Sequence, residues 1–160
     1  MTTQHQAFGA FLREQVDTNL DTMMQDITRI GPTYAQEEAA REKVRASFLV
    51  IAEAIEQNDM PGLVKASQDI GLDRARSGFG IQEVLNSFEI LRNHIWRLLQ
   101  DFLQDRAPWS LQEIQQLEDF MHTFLLNVAA SFGNLLEQTR SEMEEQSDRL
   151  EAQSRTIREL

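Results

Sequence analysis

Three histidines, His5, His94 and His122, are the side chains of this sequence best suited to chemistry at neutral pH. An imidazole can ligate haem or a metal ion, or move a proton, but each task needs partners at a fixed spacing. None of the three lies three to five residues from another, so there is no His-x-x-x-His pair, and no carboxylate cluster has metal-ligand spacing. The chain has no cysteine, which removes disulfides, thiolate metal sites and thiol nucleophiles. There is no Gly-x-Ser-x-Gly elbow, and Gly78-Phe79-Gly80 lacks the third glycine and the preceding strand of a phosphate-binding loop. Glu37-Glu38 and Glu144-Glu145 are adjacent pairs on solvated helix surfaces rather than an acid–base couple. His94 and His122 are therefore read as boundary residues of helices, with a role as haem ligand as the sharper alternative. No cofactor and no metal are expected.

The elements that would have to position these residues are helical throughout. Phe8, Phe11, Leu12, Leu20, Met23, Ile27 and Ile30 mostly recur at intervals of three and four, and Gly31-Pro32 ends that helix. Glu37 and Glu38 open a second helix with carboxylates at the positive end of its dipole, and its apolar face is Ala40, Val44, Phe48, Ile51 and Ile55. Asn58 and Asp59 cap a short third helix, with Pro61 near its start and a face of Leu63, Ala66 and Ile70. After Gly78-Phe79-Gly80 comes the most regular stripe, Ile81, Val84, Phe88, Leu91, Ile95, Leu98 and Phe102, stepping by 3, 4, 3, 4, 3, 4. Leu85, Trp96, Leu99 and Leu103 widen it, so this helix is buried against more than one neighbour. Pro108 closes the next loop, and Ser110 with Glu113 forms a capping box.

The last helix carries Ile114, Leu117, Met121, Phe124, Val128 and Phe132 on a face suited to pairing with the preceding helix. Beyond Leu135 its pattern thins to one apolar residue per heptad, Leu136, Met143, Leu150 and Ile157, each seven apart. The complementary seam positions are Thr139, Gln146, Gln153 and Leu160. A helix over residues 110–160 would run for roughly 75 Å at about 1.5 Å per residue, well past a small domain. The economical explanation is a two-stranded coiled coil with a second copy; a solvated helical tail is the alternative. The fold class is thus all-α, a compact helical domain (globin-like or a bundle) with a long C-terminal helix extending into a coiled coil. The expected division is a helical domain over residues 1–135 and a coiled-coil helix over residues 136–160 that leads to an output domain.

Composition agrees with such a domain and narrows its partners. The chain has 160 residues, 41% of them hydrophobic, enough for one core. Lys+Arg 15 against Asp+Glu 26 gives a net charge of −11, a poor surface for nucleic acid or an anionic membrane. Residues 60–109 balance at six acidic and six basic, so the acidity sits in residues 1–59, ten against five, and from Ser110 onward, ten against four. No basic N-terminal segment leads into an apolar run, and no apolar window is long and uninterrupted enough to span a bilayer. The cytoplasm is the expected compartment.

One stretch is distinctive as a whole. From Ala75 to Leu99 an Arg precedes a Gly-containing turn, followed by Glu-Val-Leu, an aromatic, Leu-Arg and Ile-Trp. This resembles the N-terminal domain of RsbRD-type proteins, the co-antagonist and stressosome group, and the likeness extends more weakly from about Phe8 to Leu136. The positions that carry it are Arg76, Gly78, Glu83, Leu91 and Arg92. Each also has an architectural use. Gly78 permits a positive φ, Glu83 sits in the first turn of its helix, and Arg92 can lie along the apolar stripe with Glu89 one turn back. The alternative is that Arg76 or Arg92 faces a ligand or partner groove.

What the resemblance implies is a non-enzymatic helical sensor, globin-like but without haem and dimeric, feeding a helical linker to a regulatory domain such as a STAS or kinase type. Other stressosome-type regulators would then be among its partners. A globin-like arrangement would pair 81–102 with 114–135 as its last two helices. Haem globins take their proximal ligand from the region before that pair, and here residues 37–80 contain no histidine. The competing functions are a haem or tetrapyrrole gas sensor using His94 or His122, and a pure assembly scaffold.

Overall fold

The computed structural model describes residues 3–29 and 38–159. Ile30, Gly31, Pro32 and Glu37, through which the first interhelical connection was read, lie outside the described residues, as does Leu160. The side chain of Glu38 is likewise not described. The described residues form five helices and no strand: α1 (Thr3–Thr28), α2 (Glu38–Gln57), α3 (Met60–Arg76), α4 (Ile81–Leu103) and α5 (Leu111–Arg158).

Local signals in the sequence set the helix ends. The Asp59 carboxylate accepts from Gly62 N at 2.9 Å at the head of α3, with Pro61 in the first turn, where its missing N–H is no loss. Gly78 ends the connection after α3 at φ +82°, a conformation that L side chains rarely adopt. Ser110 and Glu113 form the reciprocal capping box that starts α5, at 3.2 and 3.1 Å.

Two pairs of helices approach most closely, α1 with α2 and α3 with α5. Each is built around a glycine. A Cβ on Gly9 of α1 would stand 2.3 Å from the Glu56 backbone nitrogen on α2, and one on Gly71 of α3 would stand 2.3 Å from the Val128 carbonyl oxygen on α5. These contacts let backbones touch, which small residues alone permit. Surface ion pairs line the α1–α2 seam: Arg13 grips Glu56 at 2.8 and 2.9 Å, and Arg45 meets Asp17 at 2.9 Å.

The close α3–α5 crossing corrects two expectations. The exit helix has α3, not the preceding helix α4, as its closest neighbour. Large side chains, such as Phe88 and Phe124 with ring centroids 5.7 Å apart, hold α4 further off. On α3 the buried row is Leu63, Ser67, Gly71 and Arg74, while Ala66 and Ile70 are only half-buried; Gly71 is the member of that row that meets the α5 backbone. On α5 itself Phe120 joins the buried face and Ile114 is exposed.

The core joins the two close pairs into one body. Phe8, Leu12, Met23, Phe48, Ile51, Ile55, Ile95, Leu117 and Met121 are fully buried. An aromatic group closes one end, where Trp109 in the α4–α5 loop lies 4.5 Å from His5 and 5.5 Å from Phe8, edge to face with the latter. His5 Nε2 is 2.8 Å from the Glu113 carbonyl, tying the start of α1 to the first turn of α5.

If the crossings require glycine, side chains there must be felt. Gly71→Ala is expected to lower stability by about 1–3 kcal/mol, the usual range for overpacking. Gly9→Ala should act alike, since backbone rather than a movable side chain opposes it. Urea unfolding followed by circular dichroism measures both.

Candidate functional site

Helices α2, α3, α4 and α5 meet around a cavity of about 30 Å³, room for about two water molecules. Val44, Ile70, Val84, Phe88, Leu91, Phe124, Leu125 and Val128 give it apolar walls. Its polar side comes from Ser47, Ser87 and the guanidinium-bearing Arg74. The exit helix forms one wall, so anything that fills or empties this space acts directly on α5.

Arg74 is the one charged residue that the described structure buries, at 5% exposure. Burying a guanidinium without partners is prohibitive, and three are supplied. Nη1 donates to the Asp73 carboxylate at 2.7 Å, while Nη2 donates to the Lys43 carbonyl at 2.8 Å and to Ser47 Oγ at 3.1 Å. The Lys43 ammonium closes the group by donating to the same Asp73 carboxylate, and it lies 3.2 Å from Ser77 Oγ. Partial burial works against ionisation of Asp73, but Lys43 and Arg74 together outweigh it and hold its carboxyl below the ordinary carboxylate range. The cluster clamps α2 to α3 beside the cavity.

Neither histidine considered as a haem ligand lines this cavity. His94 is buried, and its Nε2 is 2.9 Å from Asp26 Oδ2, a bond that joins α4 to α1. His122 is exposed on α5. Among the described residues, no group of three or more His, Cys, Asp and Glu is placed to hold a metal ion, and no helix is long and apolar enough to cross a membrane.

The five motif residues do not converge on one pocket. Arg76 is exposed in the last turn of α3, Gly78 makes the turn, and Glu83 occupies the first turn of α4. Leu91 is buried and lines the cavity. Arg92 reaches across to Glu118 of α5 at 2.8 Å, rather than back to Glu89, because α5 brings a carboxylate within reach of the apolar stripe. The cavity's charged residue, Arg74, was not singled out in the sequence. Leu63, Ser67, Gly71 and Arg74 step by 4, 4 and 3 along one face of α3, but nothing in that spacing marks the row as buried.

The second candidate surface is the outer half of α5. Every described residue from Leu136 onward is exposed, including Leu136 (49%), Met143 (65%), Leu150 (60%) and Ile157 (71%). Ion pairs within the helix support it: Arg140 with Glu137 at 2.8 Å, Arg149 with Glu145 at 4.0 Å and Arg155 with Glu151 at 4.0 Å. Such pairs contribute about 0.2–0.5 kcal/mol each.

Residues 17–155 match the family model described as the RsbT co-antagonist protein rsbRD N-terminal domain. No curated protein and no solved structure matches the chain.

The depressed Asp73 carboxyl makes the clamp acid-sensitive. Its contribution is present above the ordinary carboxylate pKa of 3.8 and is lost as pH falls through the lower folded value. In Asp73→Asn this part of the acid destabilisation should disappear, read as a flatter dependence of the urea midpoint on pH below 4. Arg74→Ala removes the donors to Lys43 O and Ser47 and is expected to destabilise by about 1–3 kcal/mol at neutral pH.

Proposed function

The chain belongs to the RsbRD N-terminal domain family, and from that premise we propose that it is a cytoplasmic signal-input and dimerisation domain without catalytic activity of its own. Packing changes in the helical body pass through α5 to an output domain of STAS or kinase type, and other stressosome-type regulators are its partners. The observation that carries this reading is the continuity of α5. One helix of 48 residues contributes Leu117, Met121, Phe124, Val128 and Phe132 to the core, then carries an exposed row of four apolar residues outside it. At about 1.5 Å per residue it spans roughly 72 Å as a single rod, so a roll or shift imposed at the cavity wall is carried outward along its length.

Charge supports a second copy as the partner of that row. In the heptad that places Leu136, Met143, Leu150 and Ile157 on the seam, the flanking positions hold Arg140, Glu142, Ser147, Arg149, Ser154 and Thr156. Glu137, Glu144, Glu145, Asp148 and Glu151 fall on the outer positions. The acidity of the tail is thus turned away from the surface on which two equally acidic chains would meet.

Leu150→Glu is expected to shift the protein towards monomer in sedimentation velocity while far-UV circular dichroism and the melting of the body stay unchanged. A variant that remains dimeric at low micromolar concentration would overturn the seam as the meeting surface.

A further inference from the structure

The cavity among α2, α3, α4 and α5 sets a guanidinium against apolar side chains, and that guanidinium is not fully used. A guanidinium donates from Nε–H and from both hydrogens of each Nη. Among the described residues, Asp73 takes one hydrogen of Nη1, and the Lys43 carbonyl and Ser47 Oγ take those of Nη2. Nε–H and the second hydrogen of Nη1 remain, on a side chain that is 5% exposed and lines the cavity. Ser47 adds a further donor, because its Oγ accepts from Arg74 and its own proton can turn to another acceptor. Ser87, the other hydroxyl at the cavity, already donates to the Val84 carbonyl at 2.8 Å. Donors therefore gather on the α2 and α3 side. The walls supplied by α4 and α5, among them Val84, Phe88, Leu91 and Phe124, are apolar.

Charge and shape narrow what fits there. Arg74 and Lys43 against Asp73 leave one net positive charge. A monoanion balances it, whereas a phosphate dianion exceeds it and a cation is repelled. Apolar walls reject a sugar or an amino acid, whose further polar groups would be buried without partners. At about 30 Å³ the space suits the two oxygens of one carboxylate in place of two waters. Its half-buried lining residues, Ile70, Ser87 and Leu125, mark the way out, and two of the three are apolar.

We propose that this cavity binds a small monocarboxylate with an unbranched alkyl tail, hexanoate being the test case. Its carboxylate accepts from Arg74 and Ser47, and its tail leaves past Ile70 and Leu125. This names a ligand class for the signal-input role above and rests on that reading for its effect on α5. With the closed space taken by the carboxylate, a tail lying along Phe88 and Phe124 presses those rings, and so α4 and α5, apart. The seat of α5 on α3 at Gly71 is made by backbone and stays.

Isothermal titration calorimetry of the full chain with butyrate, hexanoate and hexanol at neutral pH tests the site. Hexanoate is expected to bind more tightly than butyrate, by about fourfold for each methylene buried. Hexanol, without the charge, should bind at least about tenfold more weakly than hexanoate. In nitrogen NMR hexanoate should move the Arg74 guanidinium resonances, and Arg74→Gln should abolish binding. Ser87→Leu keeps Arg74 and narrows the exit. It should weaken hexanoate at least about tenfold while the body melts as before, and it carries the test if Arg74→Gln does not fold. No binding of hexanoate at millimolar concentration by heat or by NMR, equal affinity for hexanol, or full binding by folded Arg74→Gln overturns the proposal. In each of those cases dissociation of the dimer by Leu150→Glu leaves the signal-input reading standing. Hexanoate that binds as expected but leaves hydrogen exchange along α4 and α5 unchanged upholds the site and counts against the signal-input reading.

Discussion

The seating of α5 on α3 at Gly71 is the contact on which the rest of the molecule depends. At that point a main-chain oxygen of one helix occupies the space where a side chain of the other would begin. Ser131 Oγ lies between the two helices, 2.8 Å from the Asn127 carbonyl of α5 and 3.0 Å from the Gln68 carbonyl of α3, a small residue that their spacing requires. With α3 and α5 locked this closely, α4 cannot reach α5 by the same route and packs at the distance set by Phe88 and Phe124. The space left where the tight pair meets the wider one is the cavity beside Arg74. The α1–α2 pair repeats the device at Gly9, so the body consists of two tight helix pairs with α4 wedged between them.

This arrangement bears on how a helical body can act as an input. Closely packed interiors tend to switch between discrete arrangements rather than deform smoothly. The α3–α5 contact resists sliding because backbone and Ser131 interlock there. The α4–α5 contact is made of larger, rotatable side chains and a half-buried ion pair, Arg92–Glu118. In the proposed role the compliant side is therefore the cavity side, and α5 pivots about Gly71 rather than moving as a whole. The Arg74–Asp73–Lys43 cluster keeps α2 and α3 together across the same space, so the wall opposite α4 stays fixed.

Helix content and helix ends were legible in the sequence because they depend on local chemistry. The Ser110–Glu113 box, the Asp59 cap and the Gly78 turn need no knowledge of the rest of the chain. Helix pairing was not legible in the same way. The apolar face of α5 from Ile114 to Phe132 suggested the preceding helix α4 as its partner, yet the tightest pairing belongs to α3, whose buried row of Leu63, Ser67, Gly71 and Arg74 looks unremarkable as hydrophobic pattern. A crossing made at Gly71 and Ser131 is weak in hydropathy for the same reason that it packs closely. Arg74 and His94 illustrate a related limit. Their burial is made tolerable by Ser47, the Lys43 carbonyl and Asp26, partners distant in sequence, and no local spacing reveals such a match.

The exposed seam carries a different balance. Fully burying a Leu, Ile or Met side chain contributes about 1.5–3 kcal/mol, and four of them per chain are available outside the body. Against this stand the polar layers at Thr139, Gln146 and Gln153, which add little, and the cost of joining two molecules, estimated at about 4–15 kcal/mol. A seam built of leucine at both core positions would exceed that cost and hold one register whatever the body did. In the proposed dimer, a seam with half its layers polar buries less apolar surface than one of leucine throughout, so its register is held less firmly. In the proposed role, that looser hold allows a change beside Arg74 to be felt at Ile157.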